Sequence, residues 1–311
     1  MTVDRPRARA EPLTSEIMQE FLTDKKAKNL SGETLATYQK HFDGFLRSIG
    51  NIRVSKFDKT VYNQFVAALQ GDDRKNDITT ASYCRSIRAF LYWCMENDYI
   101  KPFKVHLPKY QKAIKRCYTD DELKRLLKPP TSDCSEVEYL SWVFVNLAAG
   151  TGLRLASMLN LRVSDIQDST VYIDKTKNKR GMRVYINVDL QRILRRYIRL
   201  FDLSENDYLF TNGEGVRYAR NTLQQHIRRF NKSRGVSKTS IHLFRHTFAR
   251  NYYLNTHDVY SLCRLLGHSG IAVTEGYLSE LGADVVITEN AYNPQRQFAA
   301  QSKRRKGSIK R

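Results

Sequence analysis

An interruption at residues 101–117 constrains the fold more than any other feature of this sequence. The segment reads KPFKVHLPKYQKAIKRC, with two prolines, six Lys or Arg residues and no amphipathic period. Proline disfavours helix and strand interiors, and a basic run without apolar spacing cannot bury one of its faces. We therefore predict two domains. In chain order, the predicted parts are a flexible N-terminal tail at 1–11, a helical domain at 12–108, a basic linker at 109–117, a second domain at 118–285, and a C-terminal segment with a basic tail at 286–311.

The first domain has the apolar spacing of four helices. From Thr14 onward, apolar residues recur at steps of three and four. Ser31 is placed to cap a second helix, a third helix is predicted at 58–69, and a fourth is predicted to begin near Thr79. The short connections between these segments indicate a four-helix domain.

The second domain combines helices with a few strands. Thr119 with Glu122, and Ser135 with Glu138, have the spacing of capping boxes at two helix starts. Residues 170–174 and 183–188 alternate like two strands, with a basic turn between them. Further helices are predicted at 189–201, 219–234, 243–255, 258–267 and 271–279. The predicted fold class is mainly α-helical with a small antiparallel β-sheet.

The charge balance indicates a polyanionic partner. Lys and Arg number 52 against 32 Asp and Glu, which gives a formal net charge of +20. Such an excess opposes compaction unless a polyanion neutralises it. No apolar run approaches the roughly 20 residues that span a bilayer, and the N-terminus has no signal-peptide pattern. We therefore expect nucleic acid rather than a membrane as the partner, and a cytoplasmic, nucleoid-associated protein.

The cysteines indicate neither a disulfide framework nor a metal site. The sequence has five cysteines, and no two of them form a C-x-x-C pair. The seven histidines do not join them at metal-ligand spacing. We expect thiols in a reducing cytosol, with no structural zinc.

Three segments of the second domain carry candidate chemistry. They are GTGLRLASMLNL at 150–161, HLFRHTFAR at 242–250 and LLGHSGIAVTEGY at 265–277. Each is weak evidence alone, but in this order they resemble the tyrosine site-specific recombinase, or phage-type integrase, family. The family pattern is an Arg in G-T-G-L-R, then H-x-x-R, then L-G-H, then a Tyr about nine residues later. The matching positions are Arg154, His242, Arg245, His268 and Tyr277.

The resemblance implies a two-domain recombinase, with a four-helix core-binding domain and a mixed α/β catalytic domain, that forms a 3′-phosphotyrosine. Two guanidiniums suit a phosphodiester because they can hold its oxygens in fork geometry and stabilise the added charge of the transition state. Arg154 and Arg245 fit this task, and Tyr277 would be the nucleophile. His242 would accept or orient the phenolic proton, and His268 would donate to the phosphate.

The family also uses a lysine in a β-hairpin turn as general acid. The sequence VYIDKTKNKRGMRVYIN resembles that turn and favours Lys177, with Lys175 and Lys179 as alternatives. One position departs from the family pattern, because Ser157 stands where the family usually has Asp or Glu. We interpret His246 as structural, since it should face a different side of its helix from Arg245.

The resemblance further implies a C-shaped clamp around duplex DNA. Basic and aromatic residues of the helices and linker are candidates for DNA contact. They are Lys40, Tyr83, Arg85, Arg88, Lys109, Lys112, Lys115 and Arg116. The expected partners are double-stranded recombination sites, a homo-tetramer on DNA that is a monomer or dimer when free, and accessory DNA-bending proteins. Residues 281–295 are expected to pack against a neighbouring protomer.

Two other functions use similar residues. A type IB topoisomerase-like or hairpin-forming enzyme would share the chemistry without strand exchange, and a DNA-binding regulator could use the same fold without catalysis. The intact set of candidate residues argues against the regulator. Neither a cofactor nor a metal is expected, because the covalent link conserves the bond energy, and the sequence contains no G-x-x-x-x-G-K-[ST] motif.

Overall fold

The computed structural model describes residues 11–110, 115–173 and 181–283. The chain divides into two compact units at the bond between residues 112 and 113, within the predicted linker. Several predictions concern residues outside the described ranges: positions 1–10 of the N-terminal tail, Lys112, the turn lysines Lys175, Lys177 and Lys179, and everything after residue 283.

The first unit contains the four predicted helices. They are α1 (Thr14–Ala27), α2 (Gly32–Ile49), α3 (Lys59–Gln70) and α4 (Asp77–Glu96). Ser31 caps α2 as predicted, since its side chain accepts the Thr34 backbone N–H. Helix α4 begins two residues before the predicted start, because the side chain of Asn76 accepts the Thr79 backbone N–H.

Aromatic side chains form the core of the first unit. Phe21, Phe42, Phe45, Phe65 and Phe90 are all fully buried. The rings of Phe21 and Phe42 meet edge to face with centroids 5.6 Å apart. Each buried side chain of this size contributes about 1.5–3 kcal/mol relative to an exposed one, so the four helices are held by one cluster.

A buried histidine–tyrosine pair extends this core. The ring centroids of His41 and Tyr83 lie 4.0 Å apart, and the two residues are only 5% and 7% exposed. His41 Nδ1 is 2.7 Å from Ser86 Oγ, so its polar atom is satisfied internally. The prediction that Tyr83 contacts DNA is therefore wrong, because the ring packs inside the helical unit.

The second unit contains helices around a small sheet. Strands β1 (Ile166–Gln167), β2 (Thr170–Ile173) and β3 (Met182–Tyr185) pair antiparallel in that order, with Val171 opposite Val184. The helices are α5 (Asp120–Leu127), α6 (Glu136–Thr151), α7 (Leu155–Leu159), α8 (Val188–Leu200), α9 (Arg220–Ser233), α10 (His242–Thr256), α11 (Val259–Leu266) and α12 (Ile271–Glu280). The predicted fold class is confirmed. Among the described residues, no helix combines the length and the apolarity that crossing a membrane requires.

The two predicted capping boxes differ in outcome. Thr119 and Glu122 form the complete box at the start of α5. At the start of α6, Ser135 accepts the Glu138 N–H, but the Glu138 carboxylate binds Arg234, directly after α9, at 3.1 Å instead of returning to the cap. The second prediction was therefore half wrong, because the carboxylate is paired with a fully charged partner on another part of the chain.

The junction after α6 brings two helices very close together. Helix α6 ends at Gly152, whose φ of 62° is left-handed. A Cβ built on Gly152 would collide with the ring of Phe248 in α10. Glycine is required here both for the backbone conformation and for the close approach of α10.

The chain segment that enters the second unit is fastened to α10 and its preceding loop. The backbone N–H of Tyr118 donates to Thr247 Oγ1 at 2.8 Å. Lys238 Nζ donates to the Cys117 carbonyl at 2.8 Å and forms an ion pair with Glu122 at 2.7 Å. These contacts fix the path of the chain directly before α5.

Candidate active site

Arg245 is the buried centre of the site. It lies on α10 with only 6% of its surface exposed. Its guanidinium donates to the Gly152 carbonyl at 2.9 Å and to the Leu266 carbonyl at 2.7 Å. These acceptors close α6 and α11, where helix carbonyls lack partners and carry partial negative charge. Arg245 thus joins three helices and is oriented by two of them.

Arg154 brings a second guanidinium to the same place. It is the half-buried N-cap residue of α7 and donates to the Leu266 carbonyl at 3.2 Å. Burial, and then the charge of Arg154, lower the pKa of Arg245 to about 10, and burial lowers the pKa of Arg154 as well. Two desolvated like charges repel each other, so the pair is electrostatically prepared for an anion.

His268 follows the left-handed Gly267 at the end of α11. Its Nε2 lies 3.2 Å from the Arg245 guanidinium, and its Nδ1 lies 2.9 Å from Thr274 Oγ1. Arginine can only donate, so Nε2 accepts, and Nδ1–H donates to the threonine hydroxyl. Burial and the two arginines lower the pKa of His268 to about 4. The imidazole is therefore neutral near pH 7.

Tyr277 lies on α12 among these groups. Burial raises its pKa to about 12, although Arg245 and, more weakly, Arg154 act in the opposite direction. The Tyr277 hydroxyl is 2.5 Å from His246 Nδ1, and the rings of His268 and Tyr277 meet edge to face with centroids 5.5 Å apart. The phenol thus keeps its proton at neutral pH and has an imidazole nitrogen directly beside it.

The position of His246 corrects the sequence interpretation. We expected it to be structural and to face away from Arg245, but it is half-buried against the candidate nucleophile. Consecutive helical residues are about 100° apart, and the site is deep enough to receive both side chains. The i, i+4 spacing of His242 and His246, which places two histidines on one helix face, was the sequence signal for this role.

His242 is more peripheral. It is the first residue of α10 and is exposed, and among the described side chains it is His246 rather than His242 that meets the Tyr277 hydroxyl. Partial burial lowers the pKa of His242, and the nearby Arg220 and Arg245 lower it further. The neutral imidazole is therefore favoured here too.

Lys115 was predicted to follow DNA but contacts the nucleophile helix. Its backbone N–H donates to the Glu280 carbonyl at 2.7 Å, and its ammonium forms an ion pair with the Glu280 carboxylate. The same ammonium lies 5.0 Å from the centroid of the Tyr277 ring. The DNA contact of Lys115 stays a prediction, and the structure adds that the end of the linker packs on α12.

The other predicted DNA contacts remain predictions. Lys40, Arg85, Lys109 and Arg116 are exposed, and Arg88 is half-buried. Ser157 lies on α7 without a carboxylate to offer Arg154, whose guanidinium uses the Leu266 carbonyl. Lys177 lies outside the described residues. Among the residues that the structure describes, no group of three or more His, Cys, Asp or Glu side chains could hold a metal ion.

Comparisons with known proteins find relatives over most of the chain. Residues 116–282 match the model of the phage integrase family. The tyrosine recombinase XerC of Leptospira interrogans serogroup Icterohaemorrhagiae serovar copenhageni is 24% identical over 268 residues, covering 82% of this chain and 85% of the relative. XerC of Staphylococcus aureus strain MRSA252 is 25% identical over 280 residues, covering 84% and 91%.

Solved structures share the fold. A lambda integrase tetramer bound to a Holliday junction superposes with a TM-score of 0.69 at 14% identity, covering 87% of this chain and 78% of that chain. The XerH site-specific recombinase bound to difH substrate, in a pre-cleavage complex, gives a TM-score of 0.64 at 20% identity, covering 85% and 80%. Each match covers more residues of this chain than the larger compact unit contains, so each match includes residues of both units.

Proposed function

The chain belongs to the phage integrase family and is a tyrosine recombinase, and we propose that Tyr277 cuts DNA at specific sites by forming a 3′-phosphotyrosine. One arrangement carries this proposal. The Tyr277 hydroxyl lies beside two guanidiniums that converge on the Leu266 carbonyl, which leaves further N–H donors for a phosphate. An anion held there would sit within reach of the phenolic oxygen.

The arginines supply the electrostatic part of the reaction. A phosphodiester resists attack because it is already anionic, and its negative charge concentrates on the non-bridging oxygens as the nucleophile adds. Arg154 and Arg245 would bind those oxygens in fork geometry. Bringing in a negative charge also raises the pKa of His268, so its Nε2 can become a proton-bearing donor to the phosphate.

Strand cleavage then exchanges one phosphoester for another. The Tyr277 oxygen bonds to phosphorus, and the bond from phosphorus to the 5′ oxygen breaks. Lys177 is our proposed general acid for the departing oxygen, with Lys175 and Lys179 as alternatives. The reverse reaction, with a 5′ hydroxyl from another strand, completes recombination and requires no ATP.

For the assembly, we propose a homo-tetramer on paired DNA sites, with a monomer or dimer in the absence of DNA. The lambda integrase and XerH structures, which hold a Holliday junction and difH DNA respectively, support this proposal by their likeness in fold. We also propose that residues 281–295 pack against a neighbouring protomer, that accessory DNA-bending proteins assist, and that the protein works in the cytoplasm at the nucleoid.

Trapping the covalent intermediate tests this function. We expect the wild-type protein to become linked to nicked suicide DNA taken from the sequences that flank its own gene. Tyr277→Phe should give no adduct, because it removes the attacking oxygen and little else. Tyr260→Phe is the matched control, because Tyr260 is exposed on α11, and it should give the wild-type yield. An adduct of the wild-type yield from Tyr277→Phe would contradict the assignment.

A further inference from the structure

The phenolic proton of Tyr277 has a specific acceptor in this structure. Burial raises the pKa of Tyr277 while the positive charge of Arg245 acts to lower it, and a guanidinium can only donate a hydrogen bond. Arg245 therefore cannot take the phenolic hydrogen, which needs another acceptor. Among the described side chains, His246 Nδ1 at 2.5 Å is that acceptor.

We propose that His246 Nδ1 is the base that takes the proton from Tyr277 during strand cleavage and returns it during rejoining. The proposal rests on the function proposed above and replaces His242 in this role. As the Tyr277 oxygen bonds to phosphorus, its proton moves to His246, and the general acid gives a proton to the 5′ oxygen. In the reverse direction, the imidazolium returns the proton to the phenolic oxygen as the phosphorus–oxygen bond breaks.

The electrostatic surroundings keep His246 ready to accept. Burial, the charges of Lys115 and Arg245, and the nearby His242 lower its pKa to about 4, and Glu280 acts in the opposite direction. The imidazole therefore carries a free lone pair at neutral pH. A protonated histidine in this place would lie among cations and could not accept a proton.

The same pKa values determine the timing of the transfer. With the pKa of Tyr277 near 12 and that of His246 near 4, the proton stays on the phenol in the absence of DNA. A bound phosphate raises the pKa of the imidazole, and bond formation to phosphorus makes the phenolic oxygen far more acidic. The transfer must therefore accompany the attack, and the barrier should depend on how acidic the phenol is.

The position of the ring on α10 suits this role. The rings of His246 and Tyr277 are tilted by 44° with centroids 5.4 Å apart, so a ring nitrogen and the hydroxyl meet, not the two ring faces. Arg245 precedes His246 in the chain and is anchored to α6 and α11. The helix that fixes the phosphate-binding guanidinium therefore also fixes the proton acceptor.

Cleavage of nicked suicide DNA in single turnovers tests the proposal. His246→Ala should slow adduct formation by about 10²–10⁴-fold, the usual contribution of a positioned base. His246→Gln keeps a hydrogen-bond acceptor and most of the side-chain volume but has no basicity, so it should be similarly slow. His226→Ala is the matched control, because His226 is a partly buried histidine beside another tyrosine, Tyr218, and it should cleave at the wild-type rate.

A more acidic phenol at position 277 distinguishes a role of His246 as a base from a role in packing. A fluorinated tyrosine at position 277 should restore most of the rate lost in both His246 variants and should change the rate of the wild-type protein little. The rate lost in His242→Ala should not be restored in this way. DNA binding and thermal unfolding of each variant, measured alongside, report whether the fold is kept.

The outcomes are distinct. A wild-type rate for His246→Gln, or an equal defect with the natural and the fluorinated phenol, would overturn the role of His246. Rescue of His242→Ala instead would return the role to His242. Failure of the wild-type protein itself to form an adduct through Tyr277 would overturn the proposed function and not this assignment alone.

Discussion

Each unit of the protein holds a histidine against a tyrosine, and the pairs His41–Tyr83 and His246–Tyr277 meet in different ways. In the first unit, the rings of His41 and Tyr83 overlap at 4.0 Å, and the imidazole nitrogen is bonded to Ser86. In the second unit, the rings of His246 and Tyr277 lie 5.4 Å apart, and the imidazole nitrogen faces the hydroxyl. The first contact buries the surfaces of two rings, whereas the second is oriented for proton transfer.

The surroundings separate the two pairs further. Burial lowers the pKa of His41, with smaller contributions from Lys40 and Arg85. Burial also lowers the pKa of His246, but there it occurs beside the buried Arg245 and a phenol whose pKa is about 12. The same two residue types thus serve packing in one unit and chemistry in the other, according to their orientation and neighbouring charge.

The largest difference between the units should appear when an arginine is replaced by lysine. Arg245→Lys keeps the charge but removes the fork that binds two carbonyls, and we expect the cleavage rate to fall by about 10²–10³-fold, as for loss of one preorganised donor. Arg47→Lys, at an exposed position in the last turn of α2, should change it by no more than about twofold. Single-turnover cleavage measures both, and equal effects would remove the contrast between the units.

Replacing one glycine in each unit should have an effect of intermediate size on stability. Gly152→Ala places a left-handed residue against Phe248, and we expect a loss of stability of about 2–4 kcal/mol from backbone strain and overpacking together. A Cβ on Gly44 would lie 2.6 Å from the Tyr83 ring, and overpacking alone should cost about 1–3 kcal/mol.

Cleavage assays on the folded fraction distinguish these two substitutions. Gly152→Ala should also slow cleavage, because the Gly152 carbonyl orients Arg245. Gly44→Ala should leave the cleavage rate unchanged. Denaturant unfolding measures the stability of Gly152→Ala. If the variant lost stability but cleaved at the wild-type rate, the Gly152 carbonyl would not be needed to orient Arg245.

The smallest expected effect concerns pH. The folded pKa values of His41 and His246 lie below the unfolded value of about 6.5, so the unfolded chain binds more protons as the pH falls below that value. Stability should therefore decrease between about pH 6.5 and pH 4. His41→Gln should make this decrease shallower without altering the pH profile of cleavage, whereas His246→Gln should alter both. Thermal unfolding and cleavage across this range provide the measurements, and identical profiles for the two variants would count against the distinction.

The sequence predicted the elements better than the contacts between them. Helices and strands were predictable because their apolar periods and caps are local, as the complete capping box of Thr119 and Glu122 illustrates. Likewise, the structure brings Arg154, Arg245, His268 and Tyr277 together from the three segments that the sequence singled out.

The misplaced residues depend on tertiary packing. Tyr83 was assigned to DNA because it shares a helix with arginines, but its side chain points into the core. His246 was assigned a structural role because only the helix itself was considered, whereas the position of α12 decides what its ring meets. Lys115 was assigned to DNA as part of a basic linker, and its contact with Glu280 was not predictable because that pairing joins residues far apart in the sequence.

The fastening of Lys115 to the last residue of α12 means that the chain length between residue 115 and α5 is not neutral for catalysis. An insertion or deletion there would shift the register of the Glu280 contact and turn the phenol away from its target. The segment that opens the second unit would then be inherited together with the catalytic residues, even though its backbone only holds α12 in place.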